Sequence, residues 1–82
     1  MERKLVNKVR KRYFNRVRQC RLKALVETQV DLARLTGIPR TTLNNIENNK
    51  IFLSSYYGLL IAEALGCSIS DLYKRKDGTD GK

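Results

Sequence analysis

The sequence predicts an all-α fold, a compact bundle of about five short helices. Apolar residues recur at helical spacing between residues 14 and 73, and strand signals are absent. The same stretch is punctuated by helix starts and stops. Thr28 and Ser68 each stand three residues before an Asp, and Gly37 and Gly66 each follow an apolar run. At 82 residues the chain makes one small domain with a marginal core, so tight helix packing or dimerisation is the expected supplement.

Residues 1–13 are a basic lead-in, with Leu5, Val6, Val9 and Tyr13 at loose helical spacing and no cap at the start. They read as either a basic arm or an extension of the first helix. The domain itself spans 14–73. Helix 1 runs from Phe14 to about Leu25, with Phe14, Val17, Cys20 or Arg21, and Ala24 on one face. Thr28 and Asp31 form a capping box that starts helix 2, whose apolar contacts come from Val30 (or Ala33), Leu32 and Leu35. Gly37 closes it, because a residue without Cβ takes positive φ freely.

Proline fits only the first turn of a helix, so helix 3 begins at Pro39 or Arg40. It runs to about Asn48, buries Leu43 and Ile46, and ends on Asn49 as a left-handed cap. Ile51, Phe52 and Leu53 lead to Ser54 or Ser55, the cap of helix 4. That helix turns Leu59, Ala62 and Leu65 inward and stops at Gly66. Ser68 and Asp71 start a short helix 5 through Tyr73, and 74–82 is a polar tail expected to be disordered.

Charge is unevenly placed. The net charge is +9, yet residues 1–25 hold ten basic side chains against Glu2 alone, while residues 26–82 balance seven against seven. A polyanion is the implied partner, nucleic acid ahead of an anionic membrane. Cys20 and Cys67 are far apart, form no CxxC and have no histidine to join, so they read as buried, reduced core thiols rather than metal ligands. No apolar run approaches the roughly 20 residues of a membrane span, and no signal peptide is seen, so a cytoplasmic protein is expected. Enzymatic chemistry is rejected. There is no histidine base, no nucleophile with a partner and no phosphate-cradling glycine loop, and neither cofactor nor small-molecule ligand is expected.

The most informative run is Thr28–Lys50. Gln29, Ala33, Gly37, Leu43 and Ile46 follow one another at the intervals of two short helices crossing through a tight turn, an arrangement that pushes the second helix into a groove of DNA. From about Asn15 to Tyr73 the chain resembles the lambda-repressor/Cro-like, or Xre-type, helix-turn-helix regulators. The resemblance rests on Thr28-Gln29, Leu32-Ala33, Gly37-Ile38, Ile46-Glu47-Asn48, Ala64-Leu65-Gly66 and Ser70-Asp71-Leu72-Tyr73.

The resemblance implies base-edge contacts at Arg40, Thr41, Asn44 and Asn45, whose chemistry suits guanine, the thymine methyl and adenine. It implies phosphate contacts at Gln29, Thr42, Asn48 and Lys50, and the charge pattern adds Arg10, Arg12 and Arg16. It further implies an ion pair tying helix 1 to helix 3, between Glu47 and Arg21 with Arg18 in reserve, although this chain has one extra residue before Thr28. Pro39 and Asn49 depart from the usual cap and the usual glycine. Ile51-Phe52-Leu53 is an unusually apolar loop, so Ile51, Phe52 and Tyr73 are the expected dimer interface, while Leu53 could instead pack under helix 4. The expected function is a double-stranded-DNA-binding transcriptional regulator, homodimeric on an inverted repeat. The alternative is a protein-interaction module, such as an antitoxin or a complex subunit, working through the 51–53 loop.

Overall fold

The computed structural model describes residues 13–75. The expectations for residues 1–12, including Arg10 and Arg12, and for the tail from residue 76 onward lie outside that range. In chain order the elements are β1 (Tyr13–Asn15), α1 (Val17–Lys23), α2 (Gln29–Thr36), α3 (Arg40–Glu47), α4 (Ser55–Leu65), a 3-10 helix (Ile69–Leu72) and β2 (Tyr73–Arg75). Among the described residues four α-helices therefore stand where five helices were expected. The segment after Gly66 is too short for an α-helix to form and tightens to a single 3-10 turn.

The helical frame fits the expected all-α class, with one addition, a short two-stranded ribbon. β1 and β2 pair antiparallel, Tyr13 with Arg75, Phe14 with Lys74 and Asn15 with Tyr73. Three-residue strands are too short to show alternation, which hides them in a sequence. Phe14 is accordingly not in helix 1, and the polar tail begins later than expected, since Lys74 and Arg75 are strand residues. Asn15 makes the boundary. Its Oδ1 accepts the Val17 N–H at 3.1 Å, and such local side-chain bonding stops a helix extending backwards.

The core is Val17, Leu32, Ile38, Leu43, Ile46, Leu53, Ile61, Ala62 and Leu72. α2 packs on α3 and α4, while α1 packs on α3, α4 and the 3-10 helix. Two faces differ from expectation. Val30 and Leu35 of α2 are exposed, and Leu32 with Ala33 faces inward instead. In α4 the inward positions are Gly58, Ile61 and Ala62, and Leu59 is exposed. The run Leu59-Leu60-Ile61-Ala62 is apolar all round, so its spacing cannot select a face. Packing selects it, with Gly58, Ile61 and Ala62 turned to the core and Gly58 beside Leu53 and the Tyr73 hydroxyl.

The cap residues are the expected ones, but the Thr28–Asp31 box expected at α2 is only half closed. Thr28 Oγ1 accepts the Asp31 N–H, Ser54 Oγ accepts the Tyr57 N–H, and only Ser68–Asp71 closes a reciprocal box. Gly37, Asn49 and Gly66 all have positive φ after a helix, and Leu25 joins them unexpectedly at φ 65. Among the described residues no helix is long and apolar enough to cross a membrane.

Candidate nucleic-acid interface

Helix α3 is held from beneath by Leu43 and Ile46, both fully buried. That orientation leaves Arg40 and Thr41 exposed and Asn44 and Asn45 half-exposed along its outer side. Its entry is built by the α2–α3 turn. Gly37 sits at φ 78, its N–H bonded to the Ala33 carbonyl, and the Thr36 hydroxyl accepts the Ile38 N–H at 3.1 Å. Pro39 supplies the required φ of −58 but no side-chain cap, so the first N–H groups of α3 are not closed off by a side chain.

A polar network fixes α3 relative to α1 and α2. Arg21 Nε donates to Glu47 Oε2 at 2.9 Å, with both side chains almost fully buried. Three more of its five donors are used: Nη1 reaches the Val26 carbonyl at 3.0 Å and the Glu27 carbonyl at 2.6 Å, and Nη2 reaches Glu47 Oε1 at 3.3 Å. A buried pair is tolerable when its other donors and acceptors are satisfied, and here four of the five Arg21 N–H groups find acceptors, across three segments of chain. The extra residue before Thr28 does not displace it, because Arg21 bonds the connector carbonyls directly.

Gln29, at the first position of α2, extends the network. Its Nε2 donates to Glu47 Oε1 at 3.1 Å and to Asn44 Oδ1 at 3.3 Å, and its Oε1 accepts from Arg40 Nη1 at 3.4 Å. Asn48 Nδ2 donates to the Asn44 carbonyl and Oδ1 at 3.0 and 3.1 Å. Gln29, Arg40, Asn44 and Asn48 thus meet on one surface, with Glu47 neutralised below them. The longest of these bonds, Arg40 to Gln29, is weak enough to exchange for a stronger acceptor.

Asn15 is a positioning residue that spacing along the chain does not single out. It is 7% exposed, and its amide uses every polar group. Nδ2 donates to the Ile46 carbonyl and to Asn49 Oδ1, the backbone N–H also donates to Asn49 Oδ1, and Oδ1 accepts the Val17 N–H at the start of α1. The one signal in the sequence is an Asn close to the start of a helical run, a residue type that favours helix ends over interiors. Asn49 replaces glycine for the same reason. Asn tolerates its φ of 58, and its side chain ties the end of α3 to β1.

The other expected contacts fall in different places. Thr42 is half-buried on α3, and Lys50 is exposed just beyond the helix. Arg16 stands apart, lining a groove with Cys20, Lys23, Cys67 and Asp71. Cys20 and Cys67 are half-exposed there rather than buried, although both still touch the core. Ile51 and Phe52 are exposed and line a second groove with Tyr13, Lys50 and Tyr73. The Phe52 and Tyr73 rings lie 5.9 Å apart. The Tyr73 hydroxyl donates to the Leu53 carbonyl at 2.7 Å, and burial raises its pKa above the ordinary phenol value. Leu53, 1% exposed, packs in the core beneath α4. Among the described residues no cluster of three or more His, Cys, Asp or Glu side chains could hold a metal ion.

Two short helices joined by a glycine turn, the second pinned by two apolar anchors and one buried ion pair with a polar outer face, define a helix-turn-helix module. The helix-turn-helix family model matches residues 17–72. The chain belongs to the Xre-type, lambda-repressor-like helix-turn-helix family, whose members are DNA-binding regulators. No curated protein and no solved structure matches the chain at a significant level.

Proposed function

We propose that this protein is a sequence-specific, double-stranded-DNA-binding transcriptional regulator that acts as a cytoplasmic homodimer. The observation that carries this reading is the joining of Gln29, Arg40 and Asn44 on one surface above the buried Arg21–Glu47 pair. Side chains pre-oriented on a rigid helix lose little freedom when they meet base edges, which is what sequence discrimination requires. Arg40, Thr41, Asn44 and Asn45 read bases in the major groove. Gln29, Thr42, Asn48 and Lys50, with the open N–H groups at the helix starts, hold phosphates and set register.

Exposed Ile51 and Phe52 beside Tyr73 support pairing of two copies, which would set two recognition helices about one DNA turn apart on an inverted repeat. The same exposed pair also favours a second reading, a module that docks another protein through this loop and binds DNA only weakly. Selection from a random duplex pool at physiological salt separates the two. The regulator reading expects an enriched inverted repeat with half-sites about 10 base pairs apart. A pool without sequence enrichment would sink it. Sedimentation with and without the selected duplex then reports whether two protomers bind each site.

A further inference from the structure

Away from the recognition face, α1 meets the exit of α4 along an open groove lined by Arg16, Cys20, Lys23, Leu65, Cys67 and Asp71. The only two cysteines of the chain, far apart in sequence, therefore face the same space. Both are partly solvent-exposed while packing against the core. The Cys20 thiol donates to the Asp71 carbonyl at 3.4 Å. Burial first, then the charges of Cys20 and Asp71 and a hydrogen bond to Cys20, raise the Cys67 thiol above its ordinary pKa. The Asp71 carboxylate in turn accepts the N–H of Ser68, the residue after Cys67, at 3.0 Å, so both cysteines stand beside Asp71 in the groove. Among the described residues no metal-holding cluster surrounds them, so the pair has too few companions for a tetrahedral metal centre.

We propose that Cys20 and Cys67 form a modification site that hydrogen peroxide or another hydroperoxide oxidises to an intramolecular disulfide, stapling α1 to the exit of α4. With hydrogen peroxide, one thiolate attacks the O–O bond, keeps one oxygen as a sulfenic acid and releases the other as water. The second thiol then attacks that sulfenic sulfur, forming the S–S bond and releasing a second water. Two thiols lose two electrons in total, and one peroxide gains them. The closed loop contains α2, α3 and α4, so the bond restricts the unfolded chain across the whole DNA-binding frame. Gln29, Arg40, Asn44 and Asn45 do not line this groove, so the oxidised form keeps its recognition surface.

The test is to treat the reduced full chain with hydrogen peroxide and follow intact mass, non-reducing peptide maps and thermal unfolding. The site predicts a loss of two hydrogen atoms, a Cys20–Cys67 cross-linked peptide pair and a midpoint raised by roughly 10 °C, reversed by a thiol reductant. Cys20→Ser and Cys67→Ser should each abolish the cross-link. If either variant fails to fold, the mass and midpoint of the unaltered chain decide alone. Covalent dimers, oxygen adducts without a cross-link, or a cross-link that lowers the midpoint would each overturn the proposal.

Discussion

Each α-helix is followed by a residue with positive φ, and two of those four residues are not glycine. At Asn49 the side chain compensates for the backbone cost, because its carbonyl accepts two bonds from Asn15. Leu25 has no such return. It is 85% exposed, and the turn is held by backbone bonds, Leu25 N–H to Leu22 and Val26 N–H to Arg21, and by the Arg21 guanidinium on the Val26 and Glu27 carbonyls. A left-handed non-glycine residue costs about 1–2 kcal/mol, partly offset by glycine's greater freedom when unfolded. Leu25→Gly should therefore stabilise the domain by about 1 kcal/mol, read as a rise of several degrees in the unfolding midpoint. A lower midpoint would mean that the Leu25 side chain itself stabilises the fold. On the DNA side, Arg40→Ala or Asn45→Ala should each cost on the order of 1–3 kcal/mol on the selected site and relax discrimination at one base pair. Unchanged preference in both variants would remove α3 as the reading element. Gly37 and Asn49 are legible as cap residues, whereas Leu25 is not, because a leucine after a helical run looks like more helix.

At the scale of elements, short motifs with reciprocal bonds are the easiest to foresee. The Ser68–Asp71 box closes as expected, and bonds from the Ser68 backbone N–H and then its hydroxyl hold the Asp71 carboxyl below its ordinary pKa. A depressed carboxylate contributes stability at neutral pH that is lost as pH falls through its folded-state value. Urea unfolding between pH 6 and roughly pH 3 should show that loss below about pH 4. Asp71→Asn should flatten this part of the profile, and an identical profile in the variant would deny the box a role. The ribbon is illegible for the opposite reason. Tyr13–Asn15 and Tyr73–Arg75 become strands only by pairing with each other, and neither carries a local signal. The facing of α4 is likewise set by tertiary packing, not by the period of its apolar residues.

For the whole molecule, charge and specificity are divided between regions. Residues 28–50, which contain the recognition surface, hold three basic and two acidic side chains, while residues 1–12 hold six basic ones. Removing residues 1–12 should weaken binding to every duplex alike and reduce the log–log salt slope by about 0.9 for each phosphate that those residues neutralise. A shift in the preferred sequence would instead show that these residues read bases. The candidate base-reading face, the helix-turn-helix and the family are all legible from residue types and intervals, because helix caps and turns are local and announce themselves in sequence. Tertiary structure alone decided which apolar side chains point inward, that Arg21 makes its bonds across three segments, that Asn15 locks β1 to the end of α3, and that Cys20 and Cys67 line one groove. Each of these depends on distant segments sharing one space, and spacing along a chain carries no information about neighbours that only packing creates.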